Sequence, residues 1–85
     1  MKLNVGDKFL LKPGLTEGHY EGHAFINDEM EQFSRSRALL TVVELEAENE
    51  WEYILSAKQD PANRLEDAWK YREDWIQPLS LFEEE

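Results

Sequence analysis

The sequence predicts a mainly β fold, a small barrel of about five strands with one short helix. Several short apolar runs are separated by Gly, Pro and Asp turn signals, a pattern typical of small all-β domains. Residues 43–53 alternate glutamate with other residues at a period of two, which indicates a strand with one wet face. Ten of the 85 residues are aromatic, which is enough to build a small core. The sequence contains no cysteine, so disulfides cannot stabilise that core.

The amino-terminal part contains the first strand and a loop. Residues 8–12 combine apolar and basic side chains in a strand-like run, and the Pro13-Gly14 dipeptide ends it. Glycines punctuate residues 15–22, so this stretch is predicted to be a loop.

A short helix is predicted to follow. Asn27 or Asp28 can cap it, and Glu31 lies three residues beyond Asp28, as a capping box requires. Residues 34–37 are polar and are expected to end the helix and separate it from the next strand. Three apolar side chains around this helix are expected to enter the core: Phe25, Met30 and Phe33.

Two strands, at residues 38–46 and 51–56, are close enough to form a hairpin. A three-residue turn or a bulge would keep all the glutamates on one face, because either one pairs even positions with even positions. We therefore predict an odd-length turn around residues 47–50, with Asn49 in the left-handed conformation. Glu44 or Glu46 would then oppose Glu50 or Glu52.

The carboxy-terminal part is predicted to be more irregular. A polar loop is expected at 58–63, then either a helical turn at 65–69 or an irregular loop that runs into a strand at 69–71. A helical turn at 72–75 precedes an edge strand at 76–79, since Pro78 is poorly tolerated in a central strand. Residues 1–80 form a single domain in this prediction, and residues 81–85 form an acidic tail.

The net charge of −10 is unevenly distributed. Residues 1–43 carry six acids and five bases, whereas residues 44–85 carry thirteen acids and four bases. Direct binding to nucleic acid or to anionic lipid requires a basic surface, so neither is expected. No apolar run approaches the roughly 20 residues of a membrane helix, and a cytoplasmic protein is expected. Neither a catalytic motif nor a cofactor motif is present, which predicts a protein that is not an enzyme.

Turn and core residues follow a particular order along the chain: Gly6, Asp7, Leu15, Gly18, Tyr20, Gly22, Phe25, Met30, Phe33 and Trp75, with residues 76–79 behind them. This order resembles a group of small SH3-like β-barrel proteins encoded by phages, prophages and mobile elements of Gram-positive bacteria. The resemblance covers most of residues 5–79 and implies a small SH3-like barrel from a phage or prophage. Residues 34–36 depart from the pattern, because the group often has a glycine there.

Five alternate glutamates are the candidate partner-binding residues: Glu44, Glu46, Glu48, Glu50 and Glu52. Alternate strand residues lie about 6.6 Å apart, so a carboxylate ridge could imitate a phosphate backbone and occupy a basic surface. Trp51 and Tyr53, on the opposite parity, would hold the hairpin against the core. The hypothesis is an inhibitor of a host nucleic-acid-binding protein, namely RNA polymerase, a nucleoid protein, a nuclease or a CRISPR effector. A merely solvated strand face is the other interpretation of the same pattern.

Three other functions are considered from the sequence: an aromatic groove, self-association and a metal site. An aromatic groove, with Tyr20 and Trp75 as candidates, would make the protein a peptide-binding or assembly module. A structural phage component that self-associates through an edge strand is a third possibility. Glu17, His19, Glu21 and His23 alternate and could bind zinc, but Gly18 and Gly22 favour surface histidines in a loop, so no metal site is predicted.

Overall fold

A computed structural model describes residues 3–20 and 24–79. Five of its strands form one antiparallel sheet in the order β6-β5-β4-β1-β7, and β2 pairs with β3 in a separate hairpin. This confirms the predicted mainly β fold with a five-stranded sheet and one short helix. The elements are β1 (Lys8–Leu11), β2 (Gly18–Tyr20), β3 (Ala24–Ile26), α1 (Asp28–Ser36), β4 (Leu40–Leu45), β5 (Tyr53–Lys58), β6 (Trp69–Arg72) and β7 (Ile76–Pro78). The predicted acidic tail lies outside the described residues.

The loop predicted at 15–22 is partly wrong, because β2 lies within it. Gly18 opposes Ile26 in the antiparallel pair, and His19 opposes Phe25. Gly18 has a φ of 148°, a conformation that residues with a Cβ rarely adopt. Gly18 suggested a loop, but its positive φ is instead the backbone conformation with which β2 begins.

Helix α1 is capped as predicted, with Asn27 as the N-cap. The Asn27 Oδ1 atom accepts a hydrogen bond from the Met30 backbone N–H at 2.8 Å. The predicted polar break begins too early, because the helix continues through Ser36 and ends at Arg37 in the left-handed conformation. Ser34 is buried in that last turn, where its hydroxyl donates to the Lys12 carbonyl at 2.6 Å.

The core lies between the sheet and α1. Met30 and Phe33 enter it from the helix, as predicted. Phe9 and Tyr71 meet edge to face, with ring centroids 5.8 Å apart. The remaining buried apolar residues are Leu11, Ala24, Ile26, Leu40, Val42, Leu55, Ala57, Trp75 and Ile76.

The carboxy-terminal elements follow one of the two predicted alternatives. No helical turn forms at 65–69, and the chain runs through turns into β6 at Trp69. The Glu66 carboxylate holds these turns by accepting hydrogen bonds from the Gln59 and Asp60 backbone N–H groups at 2.6 and 2.9 Å. The tight turn Glu73–Trp75 and the edge position of β7 are both confirmed. In the part of the chain that the structure describes, no helix has the length and apolar character needed to cross a membrane.

The Tyr71 hydroxyl is buried and has no hydrogen-bond partner among the described residues. An unpaired buried hydroxyl costs about 1–3 kcal/mol. We therefore expect Tyr71→Phe to raise the free energy of unfolding in urea by about 1 kcal/mol. Tyr53→Phe is the matched control, because its hydroxyl accepts a hydrogen bond from the Phe25 N–H at 3.4 Å and its loss should not stabilise the fold. A destabilised Tyr71→Phe protein would contradict the prediction.

Burial raises the pKa of the Tyr71 hydroxyl well above its usual range, and the Glu29 and Glu66 carboxylates raise the pKa further. An unfolded tyrosine ionises near pH 10.0. Above that pH the unfolded chain loses a proton that folded Tyr71 keeps, so stability falls as the pH rises. We expect the free energy of unfolding to fall by about 1 kcal/mol more per pH unit in the wild type than in Tyr71→Phe. Parallel curves from urea titrations above pH 10 would exclude this contribution.

Candidate acidic binding surface

The five candidate glutamates do not share one strand face, so that part of the prediction is wrong. Strand β4 ends at Leu45, and its register with β5 shifts between Val42 and Glu44. Glu44 therefore opposes Ser56 rather than another glutamate. The other four glutamates lie in residues 46–52, which we call the acidic connection. Like charges placed opposite each other on paired strands repel, and this arrangement avoids that contact.

Asn49 organises the acidic connection, but not through the backbone conformation predicted for it. The positive φ of 64° belongs to Glu52 instead. The Asn49 side-chain carbonyl accepts hydrogen bonds from the Trp51 and Tyr53 N–H groups, each at 3.1 Å. Its amide group donates to the Ala47 and Tyr53 carbonyls at 2.8 and 3.0 Å. The Asn49 side chain thus pairs backbone N–H and C=O groups that would be paired by a neighbouring strand if β4 and β5 were longer.

The acidic connection curves around a shallow groove of about 390 Å³. Because the segment is not extended, the regular spacing expected of a phosphate-like ridge is absent. The acids are instead clustered around one concave surface. Its lining residues are Glu46, Glu48, Asn49, Glu50, Glu52, Tyr53 and Ile54.

Two of the four clustered carboxylates have cationic neighbours. Lys70 lies 3.4 Å from Glu46, and Arg72 lies 3.4 Å from Glu52. The Arg72 side chain is only 11% exposed, and it also donates to the Asp74 carboxylate at 3.0 Å and to the Trp51 carbonyl at 3.1 Å. Arg72 therefore ties the end of the acidic connection to the turn after β6.

The other carboxylates are available to a partner. Glu44, Glu48 and Glu50 are exposed, and within residues 3–20 and 24–79 no hydrogen bond or ion pair engages their side chains. Ionised carboxylates held near one another without a cation attract positive charge. The surface around Glu48 and Glu50 is thus the part of the connection best suited to meet a lysine or arginine.

An aromatic groove exists, but not where it was predicted. Trp75 is 3% exposed and belongs to the core, because the turn Glu73–Trp75 directs its ring inward against Tyr53. The Tyr20 side chain lies outside what the structure describes. A different groove of about 290 Å³ lies between β3, the start of α1 and β6, and it is lined by Phe25, Asn27, Met30, Tyr53, Ala68, Trp69 and Lys70.

The structure places two aromatic residues, Phe25 and Trp51, differently from the prediction made from the sequence. Phe25 was expected in the core, yet it is 38% exposed on the outward side of β3, between the buried Ala24 and Ile26. Its alternation with those two neighbours was the signal that could have identified it. Trp51 was expected to hold the hairpin against the core, but it is exposed on the acidic connection, where it meets the Tyr53 ring at 6.0 Å.

No metal centre is formed by the described residues: no group of three or more His, Asp or Glu side chains there could hold an ion. Of the four residues considered for zinc, Glu21 and His23 lie outside the described ranges.

Comparison with protein-family models, curated protein sequences and solved structures gives no match to this chain. The interpretation of the surface therefore rests on its own geometry and charge.

The Asn49 network predicts a measurable stability effect. Asn49→Ala removes four hydrogen bonds and leaves part-buried backbone groups unpaired, so the free energy of unfolding should fall by about 2 kcal/mol. Urea unfolding measures the change. Glu48→Ala is the matched control in the same segment, and an exposed side chain without contacts should change stability by less than about 0.5 kcal/mol. Equal effects from the two substitutions would contradict the role assigned to Asn49.

Proposed function

We propose that this chain is an acidic interaction protein that occupies a basic, nucleic-acid-binding surface on another protein. The observation that carries the proposal is the acidic connection, in which four glutamates and no cation of the same segment surround one groove. Glu48 and Glu50 stand exposed without a partner in the described part of the chain. The side chains of the basic partner would pair with them in place of phosphates.

The electrostatics support this proposal over a purely solvating role. Solubility requires net charge but not its concentration on one small surface. Four of the nineteen acids lie in residues 46–52 and line one groove, and hydrogen bonds of Asn49 and Arg72 anchor that segment. Preorganised charge accelerates encounter with an opposite surface and reduces the ordering cost of binding.

The proposal extends to origin and target on the strength of the resemblance alone. An SH3-like protein of a phage or prophage would act in a host cytoplasm and inhibit its target by excluding nucleic acid. The target would be RNA polymerase, a nucleoid protein, a nuclease or a CRISPR effector.

The test is binding to a basic partner by a variant in which the free carboxylates are neutralised. We expect Glu48→Gln with Glu50→Gln to weaken capture of the partner from a Gram-positive lysate by about tenfold at low salt, since two charge contacts are lost. Raising the salt concentration should weaken the wild type towards the same level. The readout is the partner recovered, by quantitative mass spectrometry, from otherwise identical columns.

A matched control removes the same charge elsewhere. Glu17→Gln with Asp67→Asn neutralises two exposed acids outside the acidic connection. This control should retain most of the wild-type binding. If both double variants lose binding equally, net charge alone determines it and the proposed surface is wrong.

A second candidate function is a peptide-binding or assembly module. The observation that favours it is the groove between β3 and β6, where Phe25, Tyr53 and Trp69 line one surface. A partner captured equally at low and high salt would favour this function, because apolar contacts are far less sensitive to screening than charge pairs.

A further inference from the structure

The groove between β3 and β6 combines three aromatic side chains with an anchored carboxylate. Phe25, Tyr53 and Trp69 line it together with Met30. The Trp69 indole N–H donates to the Glu29 carboxylate at 2.9 Å, so a negative group is held at the edge of the aromatic wall. Asp28, which precedes Glu29 at the start of α1, is also exposed.

The walls of this groove are held in place before any ligand arrives. The Phe25 backbone N–H donates to the Tyr53 hydroxyl at 3.4 Å, which joins β3 to β5. The Trp69–Glu29 bond joins β6 to α1 in the same way. Fixed rings reduce the ordering cost that a flexible aromatic surface would incur on binding.

The groove adjoins the acidic connection. Tyr53 lines both concave surfaces. Lys70, the cationic residue in the lining, lies 3.4 Å from Glu46 on the acidic connection, and this ion pair offsets part of its charge. A basic protein bound to Glu48 and Glu50 would thus have neighbouring side chains beside the aromatic groove.

We infer that this groove receives an arginine or lysine side chain from the same basic partner. The occupant is argued from charge complementarity: aromatic faces attract cations, and a nearby carboxylate strengthens that preference. The inference rests on the proposed function, because one partner supplies both the side chains that meet the glutamates and the side chain that enters the groove. An apolar side chain would leave the Glu29 carboxylate without a counter-charge.

The probe is an acetylated octapeptide that alternates glycine and arginine, titrated into isotopically labelled protein. We expect it to shift the indole N–H signal of Trp69, assigned with a Trp69→Phe variant. Peptides that carry uncharged citrulline or norleucine in place of arginine should leave that signal unmoved. A norleucine peptide that binds as well as the arginine peptide would overturn the inference in favour of an apolar occupant.

Phe25→Ser removes one aromatic wall while leaving the buried core residues intact. The substitution should lower the affinity for the arginine peptide about fivefold, as measured by the titration of the Trp69 indole signal. Leu65→Ser is the control, because Leu65 is 94% exposed and lies outside the groove. Equal affinities for the two variants would overturn the inference. So would a dimer, detected by sedimentation, that Phe25→Ser dissociates, since a second copy would then fill the groove.

The same titration separates this inference from the proposed function. Shifts in the backbone amides of Glu48 and Glu50 without a shift at Trp69 would refute the groove and leave the acidic surface standing. A shift at Trp69 alone would support the groove and count against the acidic surface.

Discussion

Two register shifts interrupt the regular pairing of β4, β5 and β6. One lies between Val42 and Glu44 in β4, and the other lies between Tyr53 and Leu55 in β5. Both occur at the end of the sheet that leads into the acidic connection. A bulge adds local twist and re-aims the following side chains. Pairing resumes beyond the first shift, where Glu44 opposes Ser56 and Leu45 opposes Leu55. The four later glutamates follow the end of β4 at Leu45 and lie outside the strand.

The acidic connection is consequently held by polar contacts rather than by strand pairing. Asn49 satisfies its backbone from within, and Arg72 attaches its far end to the sheet edge. A largely buried guanidinium requires several acceptors, which Glu52, Asp74 and the Trp51 carbonyl provide. Glu52 and Glu46 thus contact cations of the fold, whereas the Glu48 and Glu50 side chains make no hydrogen bond or ion pair within the described residues. Four chemically identical side chains therefore fall into two groups, two that form ion pairs within the fold and two that are exposed without such a contact.

The acidic connection and the aromatic groove share the Tyr53 side chain, so they form one continuous surface around the β5–β6 end of the sheet. Long-range attraction to the carboxylates and short-range contact with the aromatic rings suit different stages of binding. Charge accelerates encounter, and desolvated contacts slow dissociation. A basic partner would be recognised by both surfaces together.

The sequence alone determined the mainly β class, a helix capped at Asn27 or Asp28, the edge position of β7 and the concentration of acid between β4 and β5, because turn residues, periodicity and charge act locally. It predicted all five glutamates on one face of a hairpin, because periodicity gives the parity of side chains but not the residue at which a strand ends. Only the tertiary structure decided that Trp75 is buried. Which aromatic side chains face the core depends on where α1 and the β2–β3 hairpin pack against the sheet, and such long-range contacts leave no pattern in neighbouring residues.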